Sequence, residues 1–221
     1  MFRLNHEQLL KGVNLSFQRY LSRQVKWDRR LIGLFGAKGV GKTTLLLQHI
    51  KSTYGDSYEA LYLPLDNIWF QERHMLSETV RRFHEKGGRH LFLDNVHRYG
   101  NWIQAIERLH DDYPDMQIVF AAPSLVEGEK MEPSLGGKGD WYTLHTMSFR
   151  EYLSYEGALD LKPIPLDELL LHHAEVTQQV MDEDKHSPHF SELSGTWLLS
   201  FLLGRSGCFQ FSFAGFGAGF G

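Results

Sequence analysis

With 221 residues, 42% of them hydrophobic and 23% charged, the chain is long enough for one large core, or one core and part of another, and has an ordinary globular composition. A formal net charge of −4 argues against a general nucleic-acid-binding surface and leaves only a local basic patch open. The single cysteine, Cys208, excludes an internal disulfide framework, and no apolar run approaches the ~20 residues of a membrane span. Together with a polar N-terminus lacking a signal-peptide pattern, this makes a cytoplasmic location the expectation.

Residues 6–24 place Leu9, Leu10, Val13, Phe17, Tyr20 and Leu21 at helical spacing, which predicts a flanking helix, weakened by Gly12 and Asn14. Lys26 to Arg30 reads as a solvated turn. Leu31-Ile32-Gly33-Leu34-Phe35 is an apolar strand that runs into Gly36-Ala37-Lys38-Gly39-Val40-Gly41-Lys42-Thr43-Thr44. That stretch fits G-x-x-x-x-G-K-[ST], the phosphate-binding loop, and a helix-compatible run follows from Thr43. Glycines allow backbone conformations closed to other residues and a close approach to phosphate oxygens. Successive N–H groups and the helix dipole then favour an anion. In this pattern Lys42 reaches the β- and γ-phosphates, and the Thr43 hydroxyl coordinates Mg²⁺.

The helix is expected to stop at Gly55-Asp56, and Ala60 to Leu65 to form a short strand with Pro64 at its end. Asp66 to Phe70 then lies at a carboxyl edge, where ligands of open α/β sheets bind. Residues 73–86 pattern as an amphipathic helix closed by Gly87-Gly88. His90-Leu91-Phe92-Leu93-Asp94 reads as a buried parallel strand with a carboxylate at its tip. Joined to the phosphate loop, Asp94 is expected to hold the Mg²⁺ shell opposite Thr43; alone it would pass for a strand end with an Asx turn.

A helix from Trp102 to Tyr113, a strand from Met116 to Ala122, a Gly/Pro-rich loop over 126–140 and a short strand at Trp141 to Leu144 follow. Ser148-Phe149-Arg150-Glu151 is a capping box. A last helix is expected at about 167–182, capped by Asp167, with Leu166, Leu169, Leu170, Val176 and Val180 on one face. Beyond about Ser194 the pattern gives way to a Phe/Gly-dominated tail. The expectation there is a segment without a packing partner, left by a frameshift or truncation near 191–196, with an edge strand as the alternative. His172-His173 and His186-x-x-His189 lack a third ligand at metal-site spacing. His97 stands near the nucleotide edge, and Trp69 and Phe70 are read as packing against or gating the site.

The order of elements predicts a three-layer α/β phosphate-loop core with a mostly parallel sheet and a small helical extension. Its expected divisions are a helical flank (1–29), a core (30–147), a partial helical lid (148–190) and the tail (191–221). Over about residues 30–155 the motifs resemble the AAA-type ATP-binding proteins. The blocks that carry the resemblance are Gly36–Thr44, Leu65-Asp66-Asn67-Ile68-Trp69-Phe70, Gly87 to Asp94, Val96-His97-Arg98-Tyr99 and Ser148-Phe149-Arg150-Glu151-Tyr152-Leu153. The resemblance implies an additional-strand ATPase core, a helical lid and a C-terminal domain.

This chain departs from that family pattern in its hydrolytic half. Asn95 stands where the family has the glutamate that polarises the attacking water, and an amide cannot take a proton. Ala121 and Pro123 replace the polar sensor, leaving Ser124 as substitute, and Lys138 is the nearest cation where arginines are usual. The expected function is an ATP–Mg²⁺-binding, slowly hydrolysing switch in which Lys42, Asp94 and Asn95 occupy the catalytic positions. It would act on a protein partner or a C-terminal domain absent from this chain. A binding-only module is the main alternative. A nucleic-acid-associated ATPase is a weaker one, and a small-molecule kinase is disfavoured because no lid with paired arginines is visible.

Overall fold

Five short strands build the sheet: β1 (Leu31–Phe35), β2 (Ala60–Pro64), β3 (His90–Asp94), β4 (Gln117–Ala122) and β5 (Asp140–Thr143). In this computed structural model, which describes residues 2–71, 74–123, 135, 137–157, 164, 166–175 and 178, they are ordered β2-β3-β4-β1-β5 and every pairing is parallel. β4 thus stands between the strand that feeds the phosphate loop and the strand that ends in Asp94. β1 and β4 are buried along their whole length, as parallel strands covered on both faces must be.

The alternation of β1 separates two cores. Ile32 and Leu34 face α3 (Lys42–Thr53) and α1 (Phe2–Lys11), packing with Leu45, Leu46, Ile50, Leu10 and Val119. Leu31 and Phe35 face the other way, toward Val80 and Phe83 of α4 (Met75–Glu85) and Ile106 and Leu109 of α5 (Trp102–Asp112). Gly33 lies between Phe120 of β4 and Trp141 of β5 in register. A Cβ there would come within 2.6 Å of the Trp141 ring and 2.8 Å of the Phe120 ring. The glycine therefore makes room for two aromatic side chains in a strand whose other four residues are apolar.

Edge strand β2 ends in Pro64 as expected, and α1 protects it: the Tyr62 amide donates to His6 Nδ1 at 3.1 Å. The expected helix over 6–24 is not continuous. α1 ends at Lys11, and a separate turn of helix, α2, spans Leu21–Gln24. Between them Asn14 Oδ1 accepts from the Ser16 amide at 2.8 Å, an Asx turn that competes with helix. Side chains of α3 stabilise this non-helical path. Gln48 Nε2 donates to the Asn14 and Phe17 carbonyls at 2.7 Å each, and Lys51 Nζ donates to the Val13 carbonyl at 2.7 Å.

The capping box at Ser148 is formed and starts α6 (Phe149–Tyr155). α7 (Leu166–Leu171) begins one residue earlier than expected, so Asp167 lies in its first turn instead of capping it, and Leu170 is exposed. A bend at His172 interrupts the helix before residues 173–175. Ser124, residues 126–134, Val176, Val180, His186, His189, Cys208 and the tail 191–221 lie outside the described residues. Among the described residues no helix is long and apolar enough to cross a membrane, and no three His, Cys, Asp or Glu side chains group as metal ligands.

Candidate functional site: a glycine loop over a buried carboxylate

The turn from β1 into α3 needs its glycines for different reasons. Gly39 (φ 86°) and Gly41 (φ 102°) adopt left-handed conformations, Gly41 as the residue that starts α3. At Gly36 (φ 153°) space adds to the backbone constraint, because a Cβ would collide with the Leu144 carbonyl oxygen. Val40 is buried and pins the loop to the sheet, and the Leu45 amide closes the first helical bond on the Gly41 carbonyl at 2.9 Å.

Lys42 folds back under the loop, where Nζ donates to the carbonyls of Gly36 at 2.7 Å and Ala37 at 2.9 Å. Burial pulls its pKa below the ordinary lysine value, while the Asp94 charge opposes the shift. Thr43 Oγ1 donates to Asp94 Oδ2 at 2.5 Å, joining α3 to the tip of β3. Asp94 is buried and also accepts from Tyr62 Oη at 2.8 Å and from the Asn95 amide at 2.8 Å. Burial first, then the Asp94 charge and hydrogen bond, raise the Tyr62 pKa, so the phenol remains a donor.

The loop borders an open cleft of about 350 Å³ lined by Lys38, Gly39, Gly41, Lys42, Thr43 and Thr44 together with Asp66, Asn95, His97, Arg98 and Pro123. The expected residues therefore converge: Gly36, Ala37 and Val40 shape the loop, and Asp94 sits beneath Thr43. Asn95 takes a left-handed conformation (φ 52°), which asparagine tolerates better than most residues, and its Nδ2 donates to Asp66 Oδ2 at 3.2 Å. Pro123 reaches the cleft without a hydroxyl to offer, while Ala121 is buried within β4 opposite Leu34. Lys138 is drawn to α5, with Nζ 3.4 Å from Asp111 and 3.8 Å from Glu107. The cations lining the cleft are Lys38, Lys42 and Arg98.

Several participants escape a linear reading. Asp66 and Arg98 were visible as members of family-like blocks, but their place in the cleft depends on strand register. Tyr62 reaches Asp94 from the neighbouring strand. Arg19 sits in the segment expected to be helical and is buried against the back of the loop. Its guanidinium donates to the Val40 carbonyl at 2.7 Å, the His145 carbonyl at 2.8 Å and Glu151 Oε1 at 2.9 Å. Glu151 also accepts from the Tyr20 amide at 2.9 Å and the Ser148 amide at 3.0 Å. Burial pushes the Glu151 carboxyl up, but the bonds from Arg19, Ser148 and Tyr20 outweigh it and hold the group below the usual carboxylate range.

The donor chemistry fits a hard divalent cation. A threonine hydroxyl and a carboxylate meet at one point, and Mg²⁺ combines such oxygens with waters. The loop's left-handed glycines and inward-facing lysine fit a polyphosphate.

A family model described as AAA domain matches residues 28–153, more than half of the chain. No curated protein matches the sequence. Among solved structures, PCH-2 of C. elegans aligns with a TM-score of 0.41 and 18% identity, covering 75% of this chain and 49% of that one. A DNA replication initiation factor aligns with a TM-score of 0.42 and 16% identity, covering 90% of this chain and 61% of that one. The chain thus spans between 49% and 61% of the length of these two structures. With the phosphate loop, the β3 carboxylate and the intervening β4 all inside the matched span, the chain belongs to the AAA domain family, and its core is an AAA-type P-loop ATPase core.

Proposed function

We propose that the cleft binds ATP with Mg²⁺ and hydrolyses it slowly, so that the chain works as a nucleotide-dependent switch on a protein partner. The observation that carries this reading is the convergence of Lys42, Thr43 and Asp94 on one glycine loop, with Thr43 Oγ1 2.5 Å from Asp94 Oδ2. Amides of residues 38–44 cradle the phosphates, and Lys42 exchanges its two carbonyl acceptors for phosphate oxygens. Thr43 and Asp94 would hold Mg²⁺, which would supply neutralisation of phosphate charge. Tyr62 and the Asn95 amide orient the Asp94 carboxylate. Slow turnover follows from Asn95 and from the missing hydroxyl at Pro123.

The core at 30–147 and a lid beginning at Ser148 are part of this proposal. The Arg19–Glu151 pair supplies the physical link between them, because Arg19 touches the loop and Glu151 starts the lid helix. The test is phosphate release and ATP affinity measured side by side with and without Mg²⁺. Slow, Mg²⁺-dependent release is expected. Tight binding with no release would favour the binding-only alternative, and no binding would refute the proposal.

A further inference from the structure

The cleft holds a carboxylate that the family pattern does not assign. β2 and β3 are adjacent and in register through Pro64 and Asp94, and the Leu65 amide donates to the Asp94 carbonyl at 2.9 Å. This bond carries the chain so that Asp66, one residue on, reaches the level of Asn95, one residue beyond Asp94. The left-handed backbone of Asn95 turns its amide toward β2, where Nδ2 meets Asp66 Oδ2 at 3.2 Å. Both side chains line the same cleft as Lys42 and Thr43.

We propose that Asp66 is the general base for ATP hydrolysis at this site, with Asn95 as the residue that positions it. The inference rests on the hydrolytic reading above. Asn95 cannot accept a proton, but its side-chain Nδ2 donates a hydrogen bond to a carboxylate that can, Asp66 Oδ2. A glutamate at position 95 would set a second carboxylate beside Asp66, and two carboxylates sharing a site cannot both stay ionised cheaply. The amide avoids that conflict and leaves Asp66 without a second carboxylate from position 95. Asp66 is also exposed, so a proton taken up there passes directly to solvent. In the step itself, the water oxygen bonds to the γ-phosphorus and the bond from that phosphorus to the β–γ bridging oxygen breaks. The electron pair leaves with ADP, inorganic phosphate is released, and the water's proton goes to Asp66 and then to bulk water.

The test compares the parent chain with Asp66→Asn and Asp66→Glu, reading ATP affinity by fluorescence titration, phosphate release and melting temperature. A general base contributes typically 10²–10⁴-fold, so Asp66→Asn is expected to slow release by about 100-fold or more. Its ATP affinity should stay within about threefold, because the lost interaction belongs to the transition state. Asp66→Glu should keep a measurable share of the activity, and neither variant should melt at a lower temperature. Release within about threefold of the parent in Asp66→Asn would overturn the assignment, since a base is worth far more than that. So would a loss of ATP affinity matching the loss of rate, which would make Asp66 a binding group. A parent chain that binds ATP without turning it over overturns the base role and leaves binding standing. One that does not bind ATP overturns the reading beneath both.

Discussion

Replacing Glu151 with Gln tests whether the phosphate loop and the α6 cap are held by one buried joint. Arg19 and Glu151 are 7% and 5% exposed, so removing the carboxylate charge leaves a buried guanidinium without its counter-ion. The amide also turns an NH₂ group toward donors that now meet an acceptor: Arg19, the Ser148 amide and hydroxyl, and the Tyr20 amide. Breaking one partner of a buried pair costs about 3–5 kcal/mol. For a chain of this size each kcal/mol lowers the melting temperature by about 2–4 °C, so a drop of roughly 6–20 °C is expected. Arg19→Met should cost a similar amount, and the double variant less than the sum, because the two share one network.

Stability against pH gives a second reading. The folded-state pKa of Glu151 lies below the ordinary value of 4.5. Its stabilisation is therefore complete above that value and is lost as the pH falls through the folded-state pKa; Glu151→Gln should lose this part of the acid limb. Calorimetric melting of the three variants across pH is the assay. A drop of less than about 1 kcal/mol in both single variants, the range of a surface pair, would refute the idea of a buried joint.

Gly33→Val should destabilise by about 1–3 kcal/mol through overpacking against Phe120 and Trp141, read as a lower denaturant midpoint, while Gly100→Ala, whose Cβ meets no neighbour, should disturb no packing. His49 stacks on Trp27 with ring centroids 3.7 Å apart, and burial, followed by the His90 charge, lowers its pKa from 6.5 to about 4. The unfolded chain therefore takes up a proton there first. Stability should be full above pH 6.5 and fall toward pH 4, and His49→Phe should reduce the slope in that window by up to about 1.4 kcal/mol per pH unit. An unchanged slope in the variant would assign the acid sensitivity to other groups.

The parts of the site that a linear reading reaches are those whose chemistry is local. Gly36 to Thr44 follows a strand and opens a helix, and most constraints on its backbone are set by neighbours within a few residues, the Leu144 carbonyl against Gly36 being the exception. Asp94 was legible because a buried apolar strand ending in an acid has few other uses near such a loop. Tyr62 and Arg19 were not, and Asp66 was legible only as part of a loop at the ligand edge, for one shared reason: each acts across the sheet or across the chain. Asp66 meets Asn95 only once β2 and β3 are in register, and Arg19 meets Glu151 across 132 positions. The helical spacing over 6–24 misled because tertiary contacts from Gln48 and Lys51 satisfied carbonyls that a helix would otherwise have claimed. Local propensity at Gly12 and Asn14 pointed the right way, but only the packing against α3 decided the outcome.

On the proposed reading, the glycine loop with Lys42 beneath it takes the phosphates of a nucleotide. Titration of ATP with Mg²⁺ into the parent chain and into Lys42→Ala tests it most directly. Hydrogen bonds to charged groups contribute about 1.5–3 kcal/mol, so the variant should bind roughly 10- to 150-fold more weakly while remaining folded by circular dichroism. Equal affinity in the two folded proteins would rule out Lys42 as a phosphate ligand.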